Sequence, residues 1–217
     1  MPKPARRPQP VTDRLRADIL SGHFPPAERL VELQLTERFG VGRAAIRSAI
    51  VELTKEGLVT REVNRGASVR KISVEEAIEI NEARAALEGL LARHAARHAT
   101  DEERETLRAL GEQMREAVAS DDAVAYSDLN REFHSQIRTI SRHRVARDLV
   151  AALRNQSAHH QFRLAIIPGR PTQSLPEHEA IIEAIASGDE VAAEAAMQRH
   201  ISSVIDVLRK WGSVNFT

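Results

Sequence analysis

Two groups of residues in this sequence have the types and spacing to do chemistry. Asn130 and His134 stand one helical turn apart in DLNREFHSQI, His178 lies near the start of EHEAIIEAI, and His200 sits in MQRHISSVI. Imidazole is a good ligand for divalent transition metals, and an i/i+4 pair on one helix turns two donors to the same side. Two further helices can each add a histidine at the same depth of a bundle, as carboxylate–histidine bundles do. Taken singly, a helical histidine is more often a satisfied core or surface residue. Spacing alone leaves a metal site as the less common of the two readings. The second group is cationic. Arg43 and Arg47, in VGRAAIRSAIVELTKEGLV, are i and i+4 and project from one helix face near its N-terminal end, while Ile46, Ile50 and Leu53 share the opposite side. A short helix with an apolar back and a cationic front, placed just after another short helix, is how a protein enters the DNA major groove.

The elements that must position these residues fall into two textures. Val11, Leu15, Ile19 and Leu20 mark a first helix that stops at Ser21-Gly22. A second covers about Val31 to Phe39 and ends at Gly40, a third runs from about Gly42 to Glu56 and ends at Gly57. Leu58 to Arg61 and Ala67 to Lys71 read as short strands around Asn64-Arg65-Gly66, a hairpin tip. Three helices and a hairpin over 11–72 make a winged helix-turn-helix, preceded by a basic, Pro-rich arm at 1–10 that is expected to be disordered.

From Ser73 the pattern is helical throughout. Ser73 and Glu76 form a capping-box signature ahead of Ala77, Ile80, Ala83, Leu87, Leu90 and Leu91. Six helices are expected, over about 74–98, 101–119, 122–140, 143–166, 173–187 and 190–211, with Thr100 and Ser120 or Asp121 as N-caps and a tail at 213–217. With no strand signal and only 3% aromatic residues, 73–212 predicts an antiparallel all-α bundle with an Ala/Leu/Ile core.

Charge divides along the same boundary. The formal net charge is zero, but residues 1 to 72 hold 14 Lys+Arg against 8 Asp+Glu, and the remaining residues 17 against 23. A basic front joined to an acidic rear suits a polyanion-binding module attached to one that does not touch the polyanion. Cysteine is absent, which excludes disulfides and thiolate metal sites. No run approaches the roughly 18 apolar residues of a membrane span, so a soluble cytoplasmic protein is expected.

The front half resembles the winged-helix domain of the GntR family of bacterial transcription regulators, through PAERLVELQLTERFGVGRAAIRSAIVELTKEGLV and the NRGASV wing. The rear half is similar to the all-helical FCD domain of that family's FadR-type branch, through NEARAALEGLLARHAA, DLNREFH, SLPEHEAIIEAI and AAMQRHI. The resemblance spans essentially the whole chain after residue 10. It implies a ligand-responsive, DNA-binding repressor that acts as a homodimer on double-stranded operator DNA. Arg43 and Arg47 would lie on the recognition helix, with Arg65 and Gly66 at the wing. It also implies a divalent metal (zinc, nickel or manganese) held by His134, His178 and His200, with Asn130 where metal-binding members carry Asp. A small carboxylate effector would complete the site. An amide oxygen is a weaker ligand than a carboxylate, and Asp128 would point about 120° away from His134. Leu33 stands where some members have a DNA-contacting arginine. Arg84 falls on an arginine of the family's first bundle helix and either binds the effector or pairs with Glu88, one turn later. A rival reading, a metal-dependent hydrolase using the same histidines with Glu177 or Glu179 as general base, leaves the arginine helix and wing unexplained.

Overall fold

A computed structural model of the chain describes residues 9–62, 66–157, 167 and 169–215, the last five as backbone alone. The chain divides into two compact units, Met1–Ile72 and Ser73–Thr217.

In the first unit, α1 (Val11–Leu20), α2 (Glu32–Phe39) and α3 (Arg43–Lys55) precede a hairpin of β1 (Val59–Glu62) and β2 (Gly66–Val69). The strands are antiparallel, with Val59 opposite Val69 and Glu62 opposite Gly66. Leu15, Ile19, Leu35, Phe39, Ile46, Ile50 and Leu53 are buried, so the apolar stripes of the three helices face one another. Gly40 ends α2 at φ +65°, a left-handed conformation that glycine adopts without a Cβ penalty, and this sharp turn launches α3. Arg16 donates to both carboxylate oxygens of Glu56 at 2.7 Å and ties α1 to the end of α3. These are the elements expected of a winged helix-turn-helix. The expected tip residues Asn64 and Arg65 lie outside the described residues, as does most of the N-terminal arm.

The second unit holds α4 (Val74–His98), α5 (Asp101–Ala119), α6 (Ala123–Ile140), α7 (Arg144–Gln156), α8 (Arg170–Ala186) and α9 (Glu190–Asn215). Ser73 caps α4 by accepting from the Glu76 amide, and Thr100 with Glu103 forms a complete capping box on α5. The longest helices, α4 and α9, pack against each other. Small residues let them approach: a Cβ on Gly89 would lie 2.9 Å from Gln198 Cγ.

Four boundaries differ from the sequence expectation. The cap of α6 is Asp122, which accepts from the Ala125 amide, because Ser120 ends α5 and Asp121 is in the left-handed region at φ +55°. The fourth bundle helix, expected over 143–166, is described over Arg144–Gln156, and 158–166 lie outside the described residues. Helix α8 begins three residues before the expected 173. Gly169 turns the chain at φ +78°, and Pro171 occupies the first turn, where no N–H is needed. The last helix runs through Asn215, so the expected tail at 213–217 is helical over its first three residues. Gly212 alone disfavours a helix by only about 1 kcal/mol and does not stop it.

Candidate functional site

Helices α6, α8 and α9 each turn one histidine into the bundle: His134, His178 and His200, all at most 4% exposed. The ring centroids are 4.5 Å apart for His178–His200, 5.2 Å for His134–His200 and 5.7 Å for His134–His178. Each ring can present one nitrogen within 4.8 Å of those of the other two. Asn130 lines the same cavity of about 90 Å³, and its Oδ1 is buried without a hydrogen-bond partner.

The partners of the three rings decide which nitrogen faces inward. His178 Nδ1 lies 2.9 Å from the Tyr126 hydroxyl, which is 2.7 Å from Ser174 Oγ. Ser174 donates to the Arg170 carbonyl at 3.0 Å, so it must accept from Tyr126. The phenol has no second proton. It can only accept from His178 Nδ1–H, which leaves Nε2 as a bare lone pair; that atom is buried and without a partner. On His200, Nδ1 is 2.8 Å from Glu177 Oε2. Burial raises the Glu177 carboxyl, but hydrogen bonding to His200 and Ser203 outweighs this and holds it below the usual range, so it is ionised and accepts. His134 Nδ1 is 3.2 Å from Glu88 Oε2, at ion-pair distance without hydrogen-bond alignment. Burial drives His134 down to about 3, against the opposing pull of Glu88, and burial likewise drives His178 well below its ordinary value. These two rings are neutral at pH 7.

Two imidazoles thus have Nδ1 held by an acceptor, His178 by Tyr126 and His200 by Glu177, while His134 Nδ1 stands near Glu88 without a hydrogen bond. Lone pairs gathered this closely repel unless a cation sits among them. Outer carboxylates or hydroxyls on Nδ1 are what orient metal-bound histidines and raise their basicity. With the orphaned Asn130 oxygen, the residues fit a divalent transition metal, nitrogen-rich and carboxylate-free.

Arg84 lines the cavity, and the ion pair with Glu88 is formed: Nε at 2.8 Å and Nη2 at 2.6 Å from Oε1, with Nη1 donating to Asn81 Oδ1 at 2.8 Å. Of the two carboxylates considered as a hydrolytic base, Glu179 is engaged by Arg115 at the surface, and Glu177 holds His200. Sequence reading missed Tyr126, Ser174 and the orienting roles of Glu88 and Glu177. A signal was present. Tyr126, Asn130 and His134 are i, i+4, i+8 on α6, and Arg170, Ser174 and His178 are i, i+4, i+8 on α8, polar stripes on faces that are otherwise core.

In the first unit, Arg43 and Arg47 are exposed on α3, with Ile46, Ala49, Ile50 and Leu53 buried beneath. Arg47 Nε lies 3.0 and 2.8 Å from the two Glu32 carboxylate oxygens, a contact between α3 and α2 that the sequence did not reveal. Gly66, exposed at φ +87°, starts β2, and Leu33 is 51% exposed at the start of α2. Arg65 lies outside the described residues.

Residues 8–69 match the family described as bacterial regulatory proteins, gntR family, and residues 79–203 match the FCD domain. The chain is 31% identical to the Nta operon transcriptional regulator of Aminobacter aminovorans, over 88% of this chain and 90% of that protein. It is 28% identical to the putative L-lactate dehydrogenase operon regulatory protein of Escherichia coli, over 96% and 88%. It is 27% identical to the HTH-type transcriptional repressor RspR of E. coli, over 93% and 90%. Among solved structures, E. coli McbR/YncC shares the fold with a TM-score of 0.78 at 20% identity, covering 92% of this chain and 95% of that one. These relatives are regulators, and the hydrolase alternative has no counterpart among them. Among the described residues no helix is long and apolar enough to cross a membrane. An N-terminal winged helix followed by a helical histidine domain, matched along nearly its full length by operon regulators, makes this chain a transcriptional regulator of the GntR family with a C-terminal FCD domain.

Proposed function

We propose that this regulator is a cytoplasmic homodimeric repressor whose helical domain senses a small organic acid through a divalent metal. Two copies of α3 would enter successive major grooves about 34 Å apart, with Arg43 and Arg47 at base edges or phosphates and Gly66, beside Arg65, letting the wing approach the minor groove. Asn130, His134, His178 and His200 would hold the metal. Bound there, a divalent cation supplies Lewis-acid coordination for an effector carboxylate. The chain's own part is to fix the rings: Tyr126 and Glu177 hold the Nδ1 atoms of His178 and His200, Glu88 stands 3.2 Å from that of His134, and burial keeps His134 and His178 neutral and ready to ligate. Effector binding alters DNA affinity only if it favours one arrangement of the DNA-binding units over another.

The observation that carries this reading is the convergence of three buried imidazoles, one nitrogen of each within 4.8 Å of the others, beside the unpartnered His178 Nε2 and Asn130 Oδ1. The test is elemental analysis of purified protein and of a triple alanine variant at His134, His178 and His200. About one divalent ion per chain in the native protein and a sharp loss in the variant are expected. In gel shifts, the variant should bind operator with basal affinity but lose its response to the acid. Full metal occupancy in the triple variant would overturn the site. A retained response would remove the metal from the sensing mechanism.

A further inference from the structure

Arg47 on α3 is held by a carboxylate from another helix. Its Nε lies 3.0 Å from Glu32 Oε1 and 2.8 Å from Oε2, so one N–H is shared between the two oxygens. Nη1 and Nη2 make no hydrogen bond among the described residues, and the Arg47 side chain is 66% exposed. Glu32 is the first residue of α2, where a carboxylate is favoured by the helix's unpaired amides. Both side chains line a groove of about 640 Å³ between α3 and the hairpin, together with Val51, Arg61 and Gly66. An exposed ion pair contributes little to stability, so folding alone gives no strong reason for this one. Its place does. DNA seated on α3 and the wing would cover this groove, and a carboxylate there would face phosphates of its own sign. That is a cost unless Arg47 stays beside it.

We infer that Glu32 is a specificity-determining residue, which holds Arg47 by Nε and leaves its two terminal nitrogens as the planar pair that reads one guanine of the operator. This rests on the reading of α3 as the helix that enters the major groove. An unrestrained arginine on an exposed helix reaches a base edge or a phosphate, and loses rotamer freedom on settling at either. Fixing Nε removes part of that freedom before the DNA arrives. It also selects the edge that is presented. With Nε occupied, the parallel donors left are on Nη1 and Nη2, and they suit the O6 and N7 acceptors that guanine shows in the major groove. Adenine shows an acceptor beside a donor there and cannot take both. At a wrong base pair, Arg47 satisfies its donors only by swinging to a phosphate, which leaves the Glu32 carboxylate unanswered beside the DNA backbone. Glu32 thus acts mainly by penalising the wrong sequence.

The experiment selects duplexes from a random-sequence pool with the full-length protein, as wild type, Glu32→Ala, Glu32→Gln and Arg47→Ala. Gel shifts at fixed salt follow, on the wild-type winner, its single-base variants and the unselected pool. The base pair read by Arg47 is the position whose guanine preference disappears in Arg47→Ala. There the wild type is expected to prefer guanine about 5- to 150-fold, the range of one bidentate base contact. Glu32→Ala should cut that preference roughly 3- to 10-fold while tightening binding to the unselected pool. Glu32→Gln, which keeps an acceptor for Nε but no charge, should fall between; it is isosteric and serves alone if melting curves show Glu32→Ala unfolded. In an Arg47→Ala background, Glu32→Ala should alter no base preference, whereas mere damage to the start of α2 would act in either background. An unchanged guanine preference in the folded Glu32 variants would overturn the inference and leave the α3 reading intact. So would equal tightening on every duplex, which would make Glu32 a simple competitor of DNA, or an Arg47→Ala protein that loses no guanine preference. Identical selections by wild type and the Arg43→Ala, Arg47→Ala double variant would overturn both.

Discussion

Replacing Tyr126 by phenylalanine removes one oxygen from the bundle and probes the proton on His178. Burial pushes the phenol up to about 12, so the hydroxyl is protonated at any working pH. Its one proton goes to Ser174 at 2.7 Å, and its oxygen accepts from His178 Nδ1 at 2.9 Å. In Tyr126→Phe the buried Nδ1–H loses its acceptor, which costs about 1–3 kcal/mol. The ring can escape by moving its proton to Nε2, but that blocks the nitrogen a metal needs. Metal affinity falls by either route. Loss of an outer partner to a metal-bound histidine typically weakens binding about 10- to 100-fold, equivalent to roughly 1.4–2.7 kcal/mol. His178→Ala should abolish measurable binding at the same metal concentration. The assay is zinc competition against a fluorescent chelator at pH 7, for wild type, Tyr126→Phe and Ser174→Ala, with melting curves of the metal-free proteins. A folded Tyr126→Phe protein with unchanged zinc affinity would refute the relay, because Nε2 would then not depend on the hydroxyl.

Three further outcomes are expected. Asn130→Asp should tighten zinc binding in the same competition assay by adding a charged oxygen to a neutral set; weaker binding would place Asn130 outside the ligands. Arg43→Ala and Arg47→Ala should each weaken operator binding by about 1–3 kcal/mol in gel shifts at fixed salt without lowering the melting temperature, and unchanged affinity in the double variant would remove α3 as the reading helix. Burial raises the Glu103 carboxyl, but the Thr100 amide and Arg142 outweigh it and hold it below the usual range, so its contribution is present above about pH 4.5 and lost as pH falls through the lowered value. Glu103→Gln should therefore destabilise by about 1 kcal/mol at pH 7 and by much less at pH 3 in thermal melts; an equal loss at both would show that the charge is not involved.

What could be read from the sequence is what repeats along it. Apolar periodicity and Gly stops placed the three front helices and five of the six bundle helices within a residue or so at their N-termini, because burial of one helix face is a local pattern. The exception, α8, shows where local rules compete: Pro168-Gly169-Arg170-Pro171 reads as a loop, yet Pro171 is compatible with a helix's first turn. The three histidines were visible as residue types. Their outer partners were not, because Glu88 meets His134 across helices, and Tyr126 meets His178 across 52 positions. Arg84 and Glu88, by contrast, are i and i+4, and their pairing was among the alternatives open in the sequence. Arg47 with Glu32 is again a contact between helices, invisible until α2 and α3 are packed.

Asn130, the departure from the family's acidic ligand, gains meaning from these non-local partners. An aspartate there would bring a negative charge to the metal and to the surrounding guanidiniums together. With an amide the donors of the proposed site are neutral, while Glu177 is committed to His200 and Glu88 to Arg84 beside His134. On the proposed reading, a divalent cation bound there brings positive charge that neutral imidazoles and an amide do not offset. An anionic effector is then the counter-ion of the metal, and metal and effector must each raise the other's affinity by the same factor. The cavity's lining residues lie on α4, α6, α7, α8 and α9, so filling the cavity would restrain five of the six described helices of this unit at one point. A domain built this way has a physical route from a small acid to the positions of its helices, without any contact between the acid and DNA.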